Sequence, residues 1–160
     1  EMGADDYITK PFIEENLVNM IHKHTKDRKT TKPDKKEKLA LRLLSRPEYA
    51  DFWANKWADL LRPNPFHVGM KAVFVLHTWL RDCFRKNLPY DQFAKQIIAA
   101  DGSTFRDGAS VVIRDKRQPD ELTTVISRLF LGIRLECAKC QNHPFEVYGQ
   151  DELYHFAAIF

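Results

Sequence analysis

Apolar side chains recur at helical spacing along most of the chain. The clearest run lies in residues 119–135, where apolar positions follow the steps i, i+3, i+4, i+7, i+8 and i+11. These positions are Leu122, Val125, Ile126, Leu129, Phe130 and Ile133. The spacing puts all six on one face, so it predicts an amphipathic helix whose apolar side enters a core.

Four other stretches repeat this pattern. In the first, "SRPE" at 45–48 predicts a capping box formed by Ser45 and Glu48, and "RPNP" at 62–65 ends the helix. Its apolar face is predicted to contain Tyr49, Trp53, Trp57 and Leu60. The other three helices are predicted within residues 70–87, 89–102 and 150–160. The three tryptophans, at 53, 57 and 79, are expected to supply core packing area.

The stretch between Asp101 and Pro119 interrupts the helical pattern. Its glycines, serines and charges predict a long loop, within which "SVVI" at 110–113 is predicted as one short strand. The fold class expected for the main part is therefore mainly α, a helical domain with a long loop.

Composition and charge divide the chain into three parts. With 160 residues, 44% apolar and 29% charged, it is long enough for one domain, or for a domain and a fragment. No apolar run approaches the length of a membrane span. Residues 28–36 are polar and basic and lack aromatic side chains for base stacking, so they predict a linker, and nucleic-acid binding is not expected. The predicted parts are residues 1–27, 28–36 and 37–160.

The segment "GADDYITKPF", residues 3–12, resembles the end of a bacterial response-regulator receiver domain. By this resemblance Tyr7 matches the aromatic residue that changes rotamer on activation, and Lys10, followed by Pro11, matches the lysine that pairs with the phosphoryl group. The acceptor aspartate and the Mg²⁺-binding acids of such domains precede this point. Residues 1–27 are therefore expected to be a strand–helix remnant of an α/β receiver domain without phosphoryl-transfer activity.

The main part resembles another family. "LSRPEYADFWANKWADLLR" and "LFLGIRLECAKCQNHPFEVYGQDELYHFAAIF" are similar to the planctomycete cytochrome-associated domain of unknown function, over residues 44–160. The resemblance implies export and neighbouring cytochrome-type domains as partners, whereas the receiver-like segment implies the cytoplasm. The family usually has a histidine where this chain has Gln141, and commonly a tryptophan at Tyr148.

The stretch "CAKCQNHPFE", residues 137–146, carries the candidate chemistry. Cys137, Cys140 and His143 form C-x-x-C-x-x-H, which offers three ligands to zinc or iron, and His155 is the best local candidate for a fourth. Further candidates for that fourth ligand are Cys83, Glu146 and Asp151. Covalent haem is not expected, because Gln141 replaces the axial histidine. The two cysteines could also close a disulfide or remain thiols.

The sequence contains no glycine-rich phosphate loop and no nucleophile elbow. The leading hypothesis is a non-catalytic helical domain of the planctomycete cytochrome-associated family within a larger redox or cell-surface protein. Metal binding at the C-x-x-C corner stays open beside a disulfide or two thiols. A two-component response-regulator fusion and a metalloenzyme using Cys137, Cys140 and His143 are the alternatives.

Overall fold

The computed structural model describes residues 35–160. Helices account for 69% of these residues, and none of them lies in a strand. The prediction of a mainly α domain is therefore confirmed for this part of the chain. The predicted receiver remnant, with Tyr7, Lys10 and Pro11, lies outside the described residues. No helix within 35–160 is long and apolar enough to cross a membrane.

Eight α-helices and two short irregular helices follow one another in this range. The α-helices are α1 (Lys35–Leu44), α2 (Pro47–Leu61), α3 (Pro65–Val68), α4 (Met70–Arg85), α5 (Tyr90–Ile98), α6 (Gly108–Asp115), α7 (Pro119–Ile126) and α8 (Gln150–Ala157). A π turn, Ser127–Leu131, continues α7, and a 3₁₀ turn, Glu136–Lys139, precedes α8. Lys35 and Lys36, the last two residues of the predicted linker, are helical and belong to α1.

The junction of α1 and α2 differs from the predicted capping box. The Ser45 hydroxyl donates to the Arg42 carbonyl 3.0 Å away, so it serves the end of α1. Arg46 occupies the N-cap of α2 and makes no side-chain cap bond. The capping-box prediction was wrong because another helix ends immediately before this one. A free carbonyl of that helix accepts the hydrogen bond from the Ser45 hydroxyl.

Aromatic side chains from several helices build the main core. The ring of Phe93 on α5 is buried, with the ring centroids of Trp57 and Trp79 at 4.7 and 5.4 Å. Trp57 is buried, and Trp53 and Trp79 pack against the core while partly exposed, as the sequence predicted. On α2 the buried face is rotated by one residue from the prediction, because Leu61 is buried whereas Leu60 is 49% exposed.

Helix α6 replaces the predicted loop and strand. Asp107 caps it, its Oδ1 accepting from the Ala109 N–H at 3.0 Å, and Val111 and Val112 are buried. A β-carbon on Gly108 would stand 2.3 Å from Trp79 Cβ, so this glycine lets α6 lie directly against α4. The strand prediction for "SVVI" was wrong because the cap and this packing outweigh the β preference of the two valines.

The helix predicted over 119–135 ends early. Helix α7 gives way to the π turn after Ile126, and Gly132 then adopts φ 72°, the left-handed conformation that ends helices. The apolar face does reach the core, since Leu122 and Ile126 are buried and Leu129 and Phe130 pack beside them. The chain therefore turns away after Gly132 and enters the segment that holds the two cysteines.

Candidate functional site

The two cysteines lie in a small substructure, the thiol corner, formed by residues 135–149. Its own core consists of Leu135 and Ala138 from the corner and Leu153 from α8, all buried. Ala138 lies inside the 3₁₀ turn, between Cys137 and Cys140, and is fully inaccessible to solvent. Burial of this central residue anchors the turn and leaves the flanking cysteines on the outside.

Polar contacts attach the thiol corner to the helices around it. Lys139 forms an ion pair with Asp120 at the start of α7, and Gln150 Nε2 donates to the Lys139 carbonyl at 2.8 Å. The hydrogen bond from Lys139 lowers the pKa of Asp120, and the same contact raises the pKa of Lys139. Arg128 pairs with Glu136 at 3.1 Å. The turn is thus fixed at both ends.

Cys137 and Cys140 are both exposed and free of any disulfide. Cys137 lies in the 3₁₀ turn and Cys140 is its C-cap residue, so the two are three residues apart, the spacing at which side chains of a 3₁₀ helix eclipse. The backbone closes this turn, since the N–H groups of Cys140 and Gln141 donate to the Cys137 carbonyl at 3.4 and 3.3 Å. The third cysteine, Cys83, is buried in α4, where burial raises its pKa to about 12.

His143 is engaged within its own loop. Its Nδ1 accepts from the backbone N–H groups of Phe145 and Glu146, at 3.3 and 3.0 Å, and its backbone N–H donates to the Tyr148 carbonyl at 2.9 Å. An imidazole that accepts at Nδ1 carries its proton on Nε2 when neutral. In this conformation neither ring nitrogen offers a free lone pair to a metal ion, so His143 would have to turn over to become a ligand.

The other predicted ligands do not gather around the cysteines. His155 is exposed on α8, Glu146 and Asp151 are also exposed, and Cys83 belongs to the main core. Within residues 35–160, no group of three or more His, Cys, Asp or Glu side chains is arranged to hold a metal ion. The structure therefore brings Cys137 and Cys140 together on one turn and leaves the remaining candidates apart.

These residues do not fit a covalently attached haem. Gln141 stands where the axial histidine would follow the second cysteine, and the Nδ1 of His143 is already occupied by backbone N–H groups. A haem iron at this corner would have no histidine directly after the second cysteine to serve as its axial ligand.

Two features at the corner and at the start of α8 were not predicted from the sequence. Phe145 and Val147 are 91% and 92% exposed, although both are large and apolar. Glu152 accepts from the Gly149 N–H at 2.9 Å, which caps α8, and backbone hydrogen bonds lower the pKa of Glu152. The spacing of Gly149 and Glu152 is a readable capping signal, whereas the exposure of Phe145 and Val147 has no local signature.

The fold and the corner define a helical domain that displays a Cys-x-x-Cys pair at its surface. Over residues 17–160 the chain matches the family PSCyt2, described as a protein of unknown function (DUF1549). The chain therefore belongs to this planctomycete cytochrome-associated family. Neither the comparison with curated proteins nor that with solved structures gives a match.

The family match is wider than the resemblance predicted from the sequence. It begins at residue 17, and thus includes the predicted linker and the latter part of the receiver-like segment. Tyr7, Lys10 and Pro11 precede it, and the comparisons give no evidence for a receiver domain. The division of the chain at residues 27 and 36 stays a prediction.

Proposed function

We propose that this chain is a non-catalytic helical domain whose Cys137–Cys140 turn binds a zinc- or iron-type metal ion, as part of a larger protein that completes the site. The observation that carries the proposal is the pair of free, exposed thiols on one anchored 3₁₀ turn. Thiolate sulfurs are strong ligands for Zn²⁺ and for iron.

The anchoring of the turn supports a binding role for the thiols. The buried Ala138 and the ion pair of Lys139 with Asp120 hold the backbone between the two cysteines. A ligand pair that already lies on a fixed turn loses little conformational freedom when it binds an ion. Two cysteines on a flexible loop would lack this advantage.

Within residues 35–160, the turn supplies only part of a tetrahedral ligand set. Zn²⁺ takes four ligands in structural sites, and the turn offers two. Because Nδ1 of His143 accepts two backbone N–H groups, this histidine joins only if its ring rotates. We therefore assign the remaining ligands to water or to a neighbouring domain of a longer protein.

The exposed apolar residues of the same corner support a neighbouring domain. Phe145 and Val147 project from the loop that follows the thiols, almost completely open to solvent. Exposed apolar side chains beside a ligand pair are typical of a surface that another protein unit covers. Cytochrome-type domains, which the family resemblance implies as partners, are the proposed neighbours.

Titration of the reduced, metal-free chain with Co²⁺ tests the proposal, because Co²⁺ replaces Zn²⁺ and reports sulfur ligation by a near-ultraviolet charge-transfer band. We expect a saturable band with one ion per chain, reversed by added Zn²⁺. Cys140→Ser should abolish it, since a single thiolate remains on the turn. Asn142→Ser, which changes an exposed neighbour and no thiol, is the matched control and should keep it.

His143→Gln tests whether this chain binds the ion with the two thiols alone or with His143 as a third ligand. If the thiols alone bind from this chain, the variant keeps the charge-transfer band. A band that disappears in His143→Gln would show that the ring rotates and ligates the ion. No sulfur-to-cobalt band in the parent chain would refute metal binding at the corner.

A further inference from the structure

A separate cavity of about 530 Å³ lies between the segment after α5 and one side of α6, and it shares no residue with the thiol corner. Asp101, Ser103, Thr104 and Phe105 line it from the connecting segment, and Ile113 and Arg114 line it from α6. Small-molecule sites in proteins usually enclose about 300–1,000 Å³, so this volume is sufficient for a small organic ligand.

The cavity contains two opposite charges that do not neutralise each other. Asp101 and Arg114 are both among its lining residues. Among residues 35–160, neither side chain makes an ion pair or a side-chain hydrogen bond. Both side chains are exposed, so each is open to a charged group of a ligand.

Apolar side chains form one part of the remaining lining, beside the polar residues Ser103, Thr104 and Ser110. Val68, Ala100 and Ile113 contribute aliphatic side chains, and Phe105 adds an aromatic ring that is 59% exposed. The Lys71 ammonium lies 5.2 Å from the centroid of the Phe105 ring. This cation–π contact restrains the ring at the edge of the cavity, where it can cover an apolar group.

The segment that carries Asp101 and Phe105 has a defined backbone. The N–H groups of Arg106 and Asp107 donate to the Ser103 carbonyl at 2.8 and 2.7 Å. The Phe105 N–H donates to the Ser103 hydroxyl at 3.4 Å. A segment folded by its own hydrogen bonds loses less freedom when a ligand arrives.

From this arrangement we infer that the cavity binds a small zwitterion, an amino acid or short peptide with an apolar side chain. Arg114 receives the ligand carboxylate, for which a guanidinium is suited by its planar pair of donors. Asp101 receives the ammonium group, and the apolar side chain lies against Phe105 and Ile113. A purely anionic ligand would meet the Asp101 carboxylate, and a purely cationic one would meet Arg114.

Titration of the ¹⁵N-labelled full chain, followed by NMR at low ionic strength, tests the inference. The probes are free phenylalanine and the dipeptide Leu-Phe, which distinguish an amino-acid site from a peptide site. We expect saturable shifts at the amides of Ser103–Phe105 and Arg114 with at least one of them. N-acetyl-Leu-Phe and Leu-Phe amide each lack one terminal charge and should bind about tenfold more weakly.

Two variants test whether Asp101 and Arg114 bind the charged groups of the ligand. Asp101→Asn and Arg114→Gln change exposed side chains, so both should fold, and each should weaken the zwitterion about tenfold. Arg106→Gln, on the same segment but outside the cavity, is the matched control and should bind like the parent chain. Absence of saturable shifts with both zwitterions, equal binding of the blocked peptides, or unchanged affinity in both variants would overturn the inference.

Discussion

The main core and the thiol corner are stabilised in different ways. Around Phe93 the helices bury aromatic and aliphatic side chains against one another, and the rings of Trp57, Trp79, Phe84 and Phe130 all lie within 6.4 Å of it by centroid. The corner buries only two residues, Leu135 and Ala138, against Leu153 of α8, and relies on polar contacts such as the pair between Lys139 and Asp120.

The main core therefore stabilises the fold, whereas the contacts of the thiol corner orient the two cysteines. Apolar burial stabilises a fold in proportion to the area removed from water, so the core should dominate the free energy of unfolding. Exposed ion pairs contribute little to stability, but they can fix the direction of a short turn. We expect changes in the core to act on the whole domain, and changes in the corner to act on the thiols and their surroundings.

The largest expected contrast is in thiol reactivity. Burial, aided by the charge of Asp82, raises the pKa of Cys83 from 9.0 to about 12, which leaves about a thousandfold less thiolate at neutral pH. With the disulfide reagent DTNB at about pH 8, Cys137 and Cys140 should react promptly and Cys83 only after denaturation. Cys83→Ala should remove the slow thiol alone. Three prompt thiols in the native chain would disprove this division.

A truncation in the core should be the most destabilising of the side-chain changes proposed here. Phe93→Ala removes a buried ring with four aromatic neighbours, and we expect a loss of about 3–5 kcal/mol in the free energy of unfolding. Urea denaturation followed by circular dichroism measures it. Phe145→Ala, the same change at an exposed site of the corner, should cost under about 0.5 kcal/mol. Similar losses in both variants would contradict the comparison.

Two of the three glycines with close neighbours, Gly108 and Gly149, extend the comparison to the backbone. Gly108→Ala places a β-carbon 2.3 Å from Trp79 Cβ and 2.9 Å from the Val75 carbonyl, so α6 must move from α4 at a cost of about 1–3 kcal/mol. Gly149→Ala meets Asn142 Oδ1 at 3.0 Å, the end of a side chain that can rotate away. Thermal unfolding should show the larger decrease for Gly108→Ala, and the reverse order would refute this account of α6.

The smallest effect is expected from Asp120→Asn. The hydrogen bond from Lys139 lowers the pKa of Asp120 in the folded state, so the contact stabilises the fold above the unfolded pKa of about 4. This contribution is lost as the pH falls through the lower folded-state pKa. Melting temperatures should therefore differ slightly between parent and variant at about pH 7, and the difference should shrink as the pH falls below the unfolded pKa of about 4. A difference that grows on acidification would contradict this sign.

The predicted parts of the fold depended on local patterns. The helices α4, α5 and α7 could be predicted because each buries one apolar face. Leu122 lies in the core as predicted, and Leu76 and Ile97 are buried on the other two helices. Helix α6 could not be read, because the close approach of Gly108 to Trp79 is a contact between segments distant in sequence. The early end of α7 had a visible signal in Gly132, which the continuing apolar pattern outweighed.

The candidate site was predictable to a similar extent. The spacing of Cys137 and Cys140 is enough to place both on one turn, and the structure has them there. The orientation of His143 depends on which atoms its ring meets, and the N–H groups of Phe145 and Glu146 were not identifiable from spacing. The proposed ligand set therefore decreases from four side chains to the two thiols.

The π turn at Ser127–Leu131 makes the orientation of the thiol corner sensitive to a one-residue change in chain length. A π turn accommodates one residue more than the α-helix it interrupts, as an insertion would. Deleting one residue here would restore the ordinary α-helical repeat and rotate all that follows by about 100° with a shift of about 1.5 Å. The extra residue thus sets the direction, around the axis of α7, in which the two cysteines face. Deleting one codon would change that direction without changing either cysteine.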